Sequence, residues 1–283
     1  MENKKALVDT TILTNILLKS GDIRKKSQLA LKKFKQSLLP VYAIKEFKAG
    51  PLHNYIYFHN KLITTGSLSK TIAAIQRLSL TPQRYKTATA LEALTEASKS
   101  ISRYTPQDLL KKYPNDRLEN ILFDETRISI KVIIMMAWKK RRKVTTEIVN
   151  PLLCYKEEAP FEKRGLIVDT PLRCESNTKC SVQVMLKDKL EDVKKLWDSI
   201  DASSIRREDQ NRRKVLKSIF RTPKRNISDN DCRHLGDAVF ALLAPKDSVV
   251  LTTNIRDHKI LAQALDKKAE TPEDLLINFD LED

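Results

Sequence analysis

Apolar and polar positions in this chain form two textures: short β-branched runs near both ends, and long helical stripes between them. Lys5-Ala-Leu-Val8 reads as a strand of about four residues that stops at Asp9. Ile12, Leu13, Ile16 and Leu17 then recur at helical spacing, with Thr10 and Thr11 placed to cap the helix. A basic helix is expected over Ile23 to Ser37, with Leu29, Ala30 and Phe34 inside. The run Leu38 to Ile44 reads as a second strand with Pro40 at its beginning, and a further helix should start at Lys45-Glu46-Phe47.

The middle of the chain is helical in pattern. Ser69 to Ser100 should form two helices separated at Pro82, and Thr105-Pro-Gln-Asp marks a helix start with Pro at the first position. Ile121 to Trp138 is a long apolar helix whose face is marked by Ile128, Lys131, Val132, Met135 and Met136; Lys139 to Lys143 ends it with cations that suit the helix dipole. Leu166-Ile-Val168 and Ser181 to Leu186 read as two strands of a small hairpin within 166–186, followed by a helix over Lys189 to Ser199. Asp201 to Arg225 is strongly basic, with Val215, Leu216, Ile219 and Phe220 as apolar anchors.

Near the C-terminal end the pattern sharpens. Leu235 to Ala244 is an amphipathic helix with Val239, Leu242 and Leu243 at helical spacing and Ala238, Ala241 and Ala244 leaving room for close packing. Ser248-Val-Val-Leu251 has the β-branched character of a strand buried on both faces, and a polar loop through Asn254 and Asp257 follows. Lys259 to Leu265 should be a helix and Leu275 to Phe279 a closing strand.

Composition narrows the partner. A net charge of +16 over 283 residues favours a polyanion, nucleic acid or an acidic membrane surface. Only 5 Gly argue against a glycine-rich phosphate loop. No apolar run reaches the ~18 residues of a membrane span, and the N-terminus lacks the pattern of a signal peptide. The 4 Cys do not make a disulfide framework, which points to a reducing cytoplasm. Cys154, Cys174, Cys180, Cys232 and His234 lack the tight ligand spacing of structural zinc sites, so buried free thiols are the simpler reading.

Asp9, Glu46, Asp237 and Asp257 each follow a strand or open a helix on what should be one sheet edge. Each also has a structural explanation as a cap or dipole partner. Clustered carboxylates are what a hard divalent cation takes as ligands. With this arrangement the chain resembles PIN-domain ribonucleases. Leu7-Val-Asp-Thr-Thr-Ile-Leu13 is similar to the family's opening strand and acid, Glu46 to its second acid, and Leu235-Gly-Asp-Ala-Val-Phe-Ala to its third. Leu251-Thr-Thr-Asn-Ile-Arg-Asp-His258 is similar to its last strand and loop, His258 standing where an aromatic is usual.

The resemblance implies an α/β fold with a central, mainly parallel sheet flanked by helices. It covers 1–60 and 226–283, with 61–225 as a mainly helical insertion. It also implies a cytoplasmic endoribonuclease in which Asp9, Glu46, Asp237 and Asp257 hold Mg2+ or Mn2+, and suggests tRNA or another structured RNA as substrate and a toxin or anti-phage role. Asn254 and Thr10 would be accessory. An inhibitory or activating protein partner and a homo-oligomer are compatible with it. Two alternatives stay open: a non-catalytic RNA-binding scaffold with a degenerate PIN fold, and a PIN-like DNA nuclease. Asp231 is a rival third acid without the small-apolar helix pattern that follows Asp237.

RNA contact is assigned to Lys139, Arg141, Arg142, Arg206, Arg207, Arg212 and Arg213, within basic runs that exceed what solubility requires. Tyr42, Tyr55, Tyr57 and Tyr85 are of a type that stacks on unpaired bases, although core packing is the simpler role. For His258 the choice lies between packing and contact with the scissile phosphate.

Overall fold

The computed structural model describes residues 5–81, 85–114, 116–170 and 180–277. Five parallel strands form its centre. β1 (Lys5–Val8) pairs with β2 (Gln36–Pro40) on one side and β6 (Ser248–Leu251) on the other; β3 (Glu147–Val149) and β7 (Lys268–Glu270) are the edges, giving the order β3-β2-β1-β6-β7. The expected mainly parallel α/β sheet flanked by helices is present. Ala6, Leu7, Val8, Val250 and Leu251 are wholly buried, which is why these strands read as continuous apolar runs instead of alternating ones. The chain leaves β1 toward β2 and later returns to β6 on the opposite side of β1. The crevice between the carboxyl ends of β1 and β6 is therefore the topological switch point, where open α/β sheets bind ligands.

The first half of the chain packs α1 (Thr10–Leu18), α2 (Gly21–Lys32), α3 (Val41–Phe47) and α4 (His53–Thr65) beside the sheet. α5 (Leu68–Leu78) and α6 (Tyr85–Ile101) follow as the two expected helices around Pro82, which itself lies outside the described residues. α7 (Pro106–Lys112) starts at a capping box formed by Thr105 and Asp108. α8 (Leu118–Lys140) packs against α6, α4 and α1. Then come the antiparallel pair β4 (Phe161–Lys163) and β5 (Leu166–Val168), α9 (Ser181–Asp188), α10 (Leu190–Ser199), α11 (Arg207–Arg221), α12 (Asp229–His234), α13 (Gly236–Leu243), α14 (Ile255–Gln263) and α15 (Pro272–Ile277). The 61–225 stretch is mainly helical and also contributes β3 to the central sheet. Among the described residues no helix is long and apolar enough to cross a membrane.

Several expectations are corrected. The second strand ends at Pro40, and Val41 to Ile44 is helix instead of strand, continuous with the expected helix at Lys45 to Phe47. Periodicity cannot separate a short buried strand from a buried helical turn, and here Pro40 acts as the helix N-cap. Glu46 therefore sits late in α3, not at a helix start. The hairpin is shifted: β5 pairs with β4 across Arg164 and Gly165, both at positive φ (53° and 79°), while Ser181 to Leu186 lies in α9, burying Val182 and Leu186 one turn apart. The expected closing strand over Leu275 to Phe279 is α15 as far as Ile277; Thr271 accepts from Asp274 N at 3.1 Å and Pro272 opens the helix, a start signal that outweighs a short apolar run. Asn278 and Phe279 lie outside the described residues.

The face chosen for the long helix is the wrong one. Ile130, Ile134, Ala137 and Trp138 of α8 are buried, whereas Ile128, Val132, Met135 and Met136 are exposed to between 38% and 52%. The helix is apolar on two sides, and only the side meeting α4 and α6 becomes core. Leu29 of α2 is likewise exposed while Ala30 and Phe34 are buried. Asp257 and His258 lie in α14, which begins at Ile255 instead of after a longer loop.

Between α3 and α4 the helix widens into one π-helical turn, Lys48–Leu52, with Pro51 inside it. A proline removes a helix donor and its ring displaces the preceding turn, so a local change of pitch is its usual consequence. This turn places Lys48 in the interior, only 1% exposed, with its Nζ 3.1 Å from Asp169 Oδ1 and 2.9 Å from Glu158 O. The loop before and after the β4–β5 hairpin is anchored there.

Candidate functional site

Asp9 leaves β1 with its backbone N–H donating to Leu251 O at 3.1 Å, so the ends of β1 and β6 are level. Its carboxylate caps α1. It accepts from Thr10 N at 2.6 Å, from Thr11 Oγ1 at 2.7 Å and from Thr252 Oγ1 at 2.7 Å. Thr252 follows β6 and is wholly buried. The bonds that start α1 thus also fix the Asp9 carboxylate at the crevice between β1 and β6.

Glu46 reaches the same place from α3, where its Oε2 accepts from Thr10 Oγ1 at 2.8 Å. Gly236 opens α13 directly against it: a Cβ at this position would stand 2.7 Å from Glu46 Oε1. The glycine before Asp237 is thus required by the approach of an acid, since its backbone lies in the ordinary range. Asp237 follows in the first turn of α13 and Asp257 in the first turn of α14. His258, 1% exposed, stands between the two ends of the chain, its Nε2 3.3 Å from Asp237 Oδ1 and 3.6 Å from Asp9 Oδ2. Its ring also packs edge-on against Phe240 at 5.7 Å, so packing and polar contact coincide in one side chain.

The four acids meet three cationic groups. Arg212 of α11 pairs with Asp237, and Arg206, just before α11, reaches Asp257 at 2.6 Å. Asn254 Nδ2 donates to the other oxygen of Asp257 at 2.9 Å. Burial pushes the Asp237 carboxyl up, but His258 and Arg212 more than offset this and hold it below its ordinary value. For Asp257 the same burial is overcome by Arg206 and Asn254. Burial opposes the charged form of His258, yet Asp237, Asp9 and Glu46 raise its imidazole above the usual range. Glu46 has no cation of its own. Burial, then repulsion from Asp9, raises it to about 8 despite the Thr10 hydrogen bond.

A stability consequence follows from Glu46. Its folded value lies above its unfolded one, so its contribution is fully present below about pH 4.5 and is lost as the pH climbs through about 8. Metal-free protein should lose roughly 1 to 3 kcal/mol of unfolding free energy between pH 5 and pH 8.5 from this group, after allowance for its partial exposure. Glu46→Gln should flatten that slope in denaturant titrations; an equal slope in both proteins would show that Glu46 is ionised throughout.

All four sequence-assigned acids, with Thr10 and Asn254, come together at the switch point. Asp231 does not join them: it pairs with Arg225 and completes a capping box with Ser228. Thr11, Thr252, Gly236 and the counter-ion role of two arginines are additions from the structure. The Thr-Thr pairs after both strands were the available signal for the first two; nothing local signals the arginines.

The residues assigned to RNA divide. Arg206 and Arg212 are held by the acids, and Arg213 Nε donates to Ile200 O at 3.1 Å. Arg141 stacks on Trp138 at 3.7 Å, and both Arg141 and Arg142 pair with Glu157. Lys139 and Arg207 are exposed. Tyr42 and Tyr55 are buried in the core and Tyr57 is half-buried, while the side chain of Tyr85 lies outside the described residues.

Oxygen donors on four converging segments are of the type Mg2+ or Mn2+ takes, and the cationic group that favours the charged form of Glu46 is His258, which it shares with Asp9 and Asp237. As the side chains stand, no three His, Cys, Asp or Glu among the described residues enclose a metal position; Asp237 and Asp257 are engaged by arginines. The donor chemistry fits a hard cation that would take over from those ion pairs.

Fold and site together define an α/β protein with an acid cluster at the switch point of a five-stranded parallel sheet. Comparison with known protein families, with curated proteins and with solved structures finds no match for this chain.

Proposed function

We propose that the chain is a metal-dependent endoribonuclease of the PIN type. The observation that supports this most strongly is the junction of Asp9 and Asp237, from opposite ends of the chain, on the two sides of His258. The strand order puts the same point at the topological switch, where open α/β sheets commonly bind ligands, and this supports the reading. Asp9, Glu46, Asp237 and Asp257 would hold Mg2+ or Mn2+, which supplies an activated water and offsets the charge of a phosphodiester transition state. His258 spaces Asp9 from Asp237 and balances their charge. Arg206 and Arg212 are placed to exchange a carboxylate for a phosphate oxygen, which arginine binds with the same fork of donors. The basic surface supplies attraction for the sugar-phosphate chain.

Purified protein incubated with total RNA and with single-stranded or flapped DNA, in Mg2+, Mn2+ or EDTA, tests this. Defined RNA ends that vanish with EDTA are expected. Cleavage confined to DNA would move the substrate class. Intact nucleic acid in every mixture would favour the second reading, an RNA-binding scaffold, for which the Arg206 and Arg212 ion pairs speak because they neutralise two of the acids.

Gly236→Ala separates site from fold. Gly236 stands at the start of α13, where alanine gains less than the about 1 kcal/mol of a helix interior, and the Glu46 side chain must give way, so thermal stability should change little. The new Cβ would displace Glu46 by its contact at 2.7 Å. Misplacing a reacting group by about 1 Å costs about a hundredfold in rate, so cleavage should drop by about that factor. Unchanged cleavage would show that Glu46 is not part of the machinery.

A further inference from the structure

The exposed side of α8 borders a groove that none of the acids at the switch point lines. Its walls come from α1, α2, α8 and the segment before β3, and it holds about 860 Å³, a volume within the small-molecule range. Ser37 and Thr146, at the amino ends of β2 and β3, belong to the lining, so the groove lies at the opposite end of the sheet from Asp9. Leu17, Phe34 and Ala137 are buried parts of it. Ser37 adds no free polar group there, because its N–H donates to Thr146 Oγ1 at 2.9 Å and its Oγ accepts from Thr146 N at 3.0 Å. Val132 and Met136 remain open to solvent along the α8 wall. The charge is one-sided. Arg24, Lys32, Lys140 and Lys143 line the groove, and among the described residues no Asp or Glu does. None of these four side chains has an ion-pair or hydrogen-bond partner among the described residues, and Arg24 Nε is buried without an acceptor. A buried donor left unpaired costs free energy that a bound anion would recover.

We propose that this groove binds one fatty carboxylate, with its head on Arg24 and the neighbouring lysines and its tail against Leu31, Phe34, Val132 and Met136. The unopposed cations select an anionic head, and the donor fork of arginine matches a carboxylate. The walls select a single alkyl chain. α8 presents Val132 and Met136, but the facing positions of α2 at helical spacing are Arg24, Gln28 and Lys32, with Leu31 as the apolar one. An amphipathic peptide helix would press a broad apolar face onto those polar groups; a narrow tail does not. A second copy of the chain would bring the same four cations against these four, a juxtaposition that repels. A bilayer takes up apolar side chains that protrude, whereas Leu17, Phe34 and Ala137 here are buried. None of this depends on the nuclease reading, since no residue of the acid cluster belongs to the groove.

Isothermal titration of the full-length protein with octanoate, decanoate and dodecanoate, each below its micelle concentration, tests this. One molecule per chain is expected, with binding tightened roughly tenfold for each two CH2 groups added. Decanol should bind at least about tenfold more weakly than decanoate. Met136→Asp places an acid at an exposed position of the groove and should weaken decanoate binding by about tenfold or more. Arg24→Gln should remove most of the advantage of decanoate over decanol. The comparison of acid with alcohol on wild type needs no variant to fold. Equal affinity for decanol and decanoate overturns the proposal, as does binding of several molecules per chain that neither variant changes. Failure of every carboxylate to bind overturns it too. In that case dimerisation in sedimentation, flotation with anionic vesicles or binding of an acidic amphipathic peptide, whichever is lost in Met136→Asp, names the occupant instead.

Discussion

Asp237→Asn and Asp9→Asn are each expected to lower RNA cleavage by about a thousandfold or more, because groups that act as a unit lose most of their effect with any one member. RNA binding should be retained or strengthened, since each change removes a negative charge from a surface facing phosphate. The two variants differ in their side effects. Asp9 accepts from two backbone N–H groups of α1 and from the hydroxyls of Thr11 and Thr252. Asn keeps an acceptor for the α1 cap, but its amide nitrogen would replace the oxygen that accepts from the Thr11 and Thr252 hydroxyls, so Asp9→Asn should also cost about 1 to 2 kcal/mol through those buried contacts. Asp237→Asn leaves Arg212 with Asp209 at 3.5 Å and keeps the α13 start, which makes it the cleaner probe. Cleavage at the wild-type rate by Asp237→Asn, with filter-binding unchanged, would remove the acid cluster from the chemistry.

Lys48→Ala should be among the most destabilising single changes in the protein. Lys48 is 1% exposed, pairs with Asp169 at 3.1 Å, donates to Glu158 O at 2.9 Å and has its ammonium 5.4 Å from the centre of the Trp138 ring. Removing it leaves Asp169, 9% exposed at its side chain, with the His53 imidazole at 3.9 Å as its ion-pair partner among the described residues. Breaking a buried pair from one side costs about 3 to 5 kcal/mol, whereas replacing both partners with apolar residues of similar size is often neutral. Denaturant titration of Lys48→Ala and of Lys48→Met with Asp169→Leu should show the large loss in the first and its substantial recovery in the second. A loss below about 1 kcal/mol for Lys48→Ala would mean that Asp169 finds water or another cation.

Legibility varied with the range of the interaction that decided each feature. Helix starts written in a few adjacent residues, Thr105-Pro106 and Leu235-Gly-Asp, were read where they occur, because caps and N1 prolines act within one turn. Val41 to Ile44 and Ser181 to Leu186 have the pattern of strands and are helices. Short apolar runs satisfy either period, and burial against α12 or α10 decides between them. The exposed stripe Ile128, Val132, Met135 and Met136 shows the same limit, since α8 carries two apolar sides and the neighbours choose one.

What the sequence determined by itself is the chemical inventory at the strand ends: Asp9 with its threonines, Gly236 with Asp237, and Thr252 through His258, each placed by local strand or helix signals. The tertiary structure alone decided which charges those acids face. Arg206 and Arg212 reach Asp257 and Asp237 from a basic helix whose own pattern reads as solvated surface, and Glu46 is left to share His258 with Asp9 and Asp237. The reason is that local periodicity positions a backbone within a turn or two, while a carboxylate's energy depends on whatever charge another segment brings within a few ångströms.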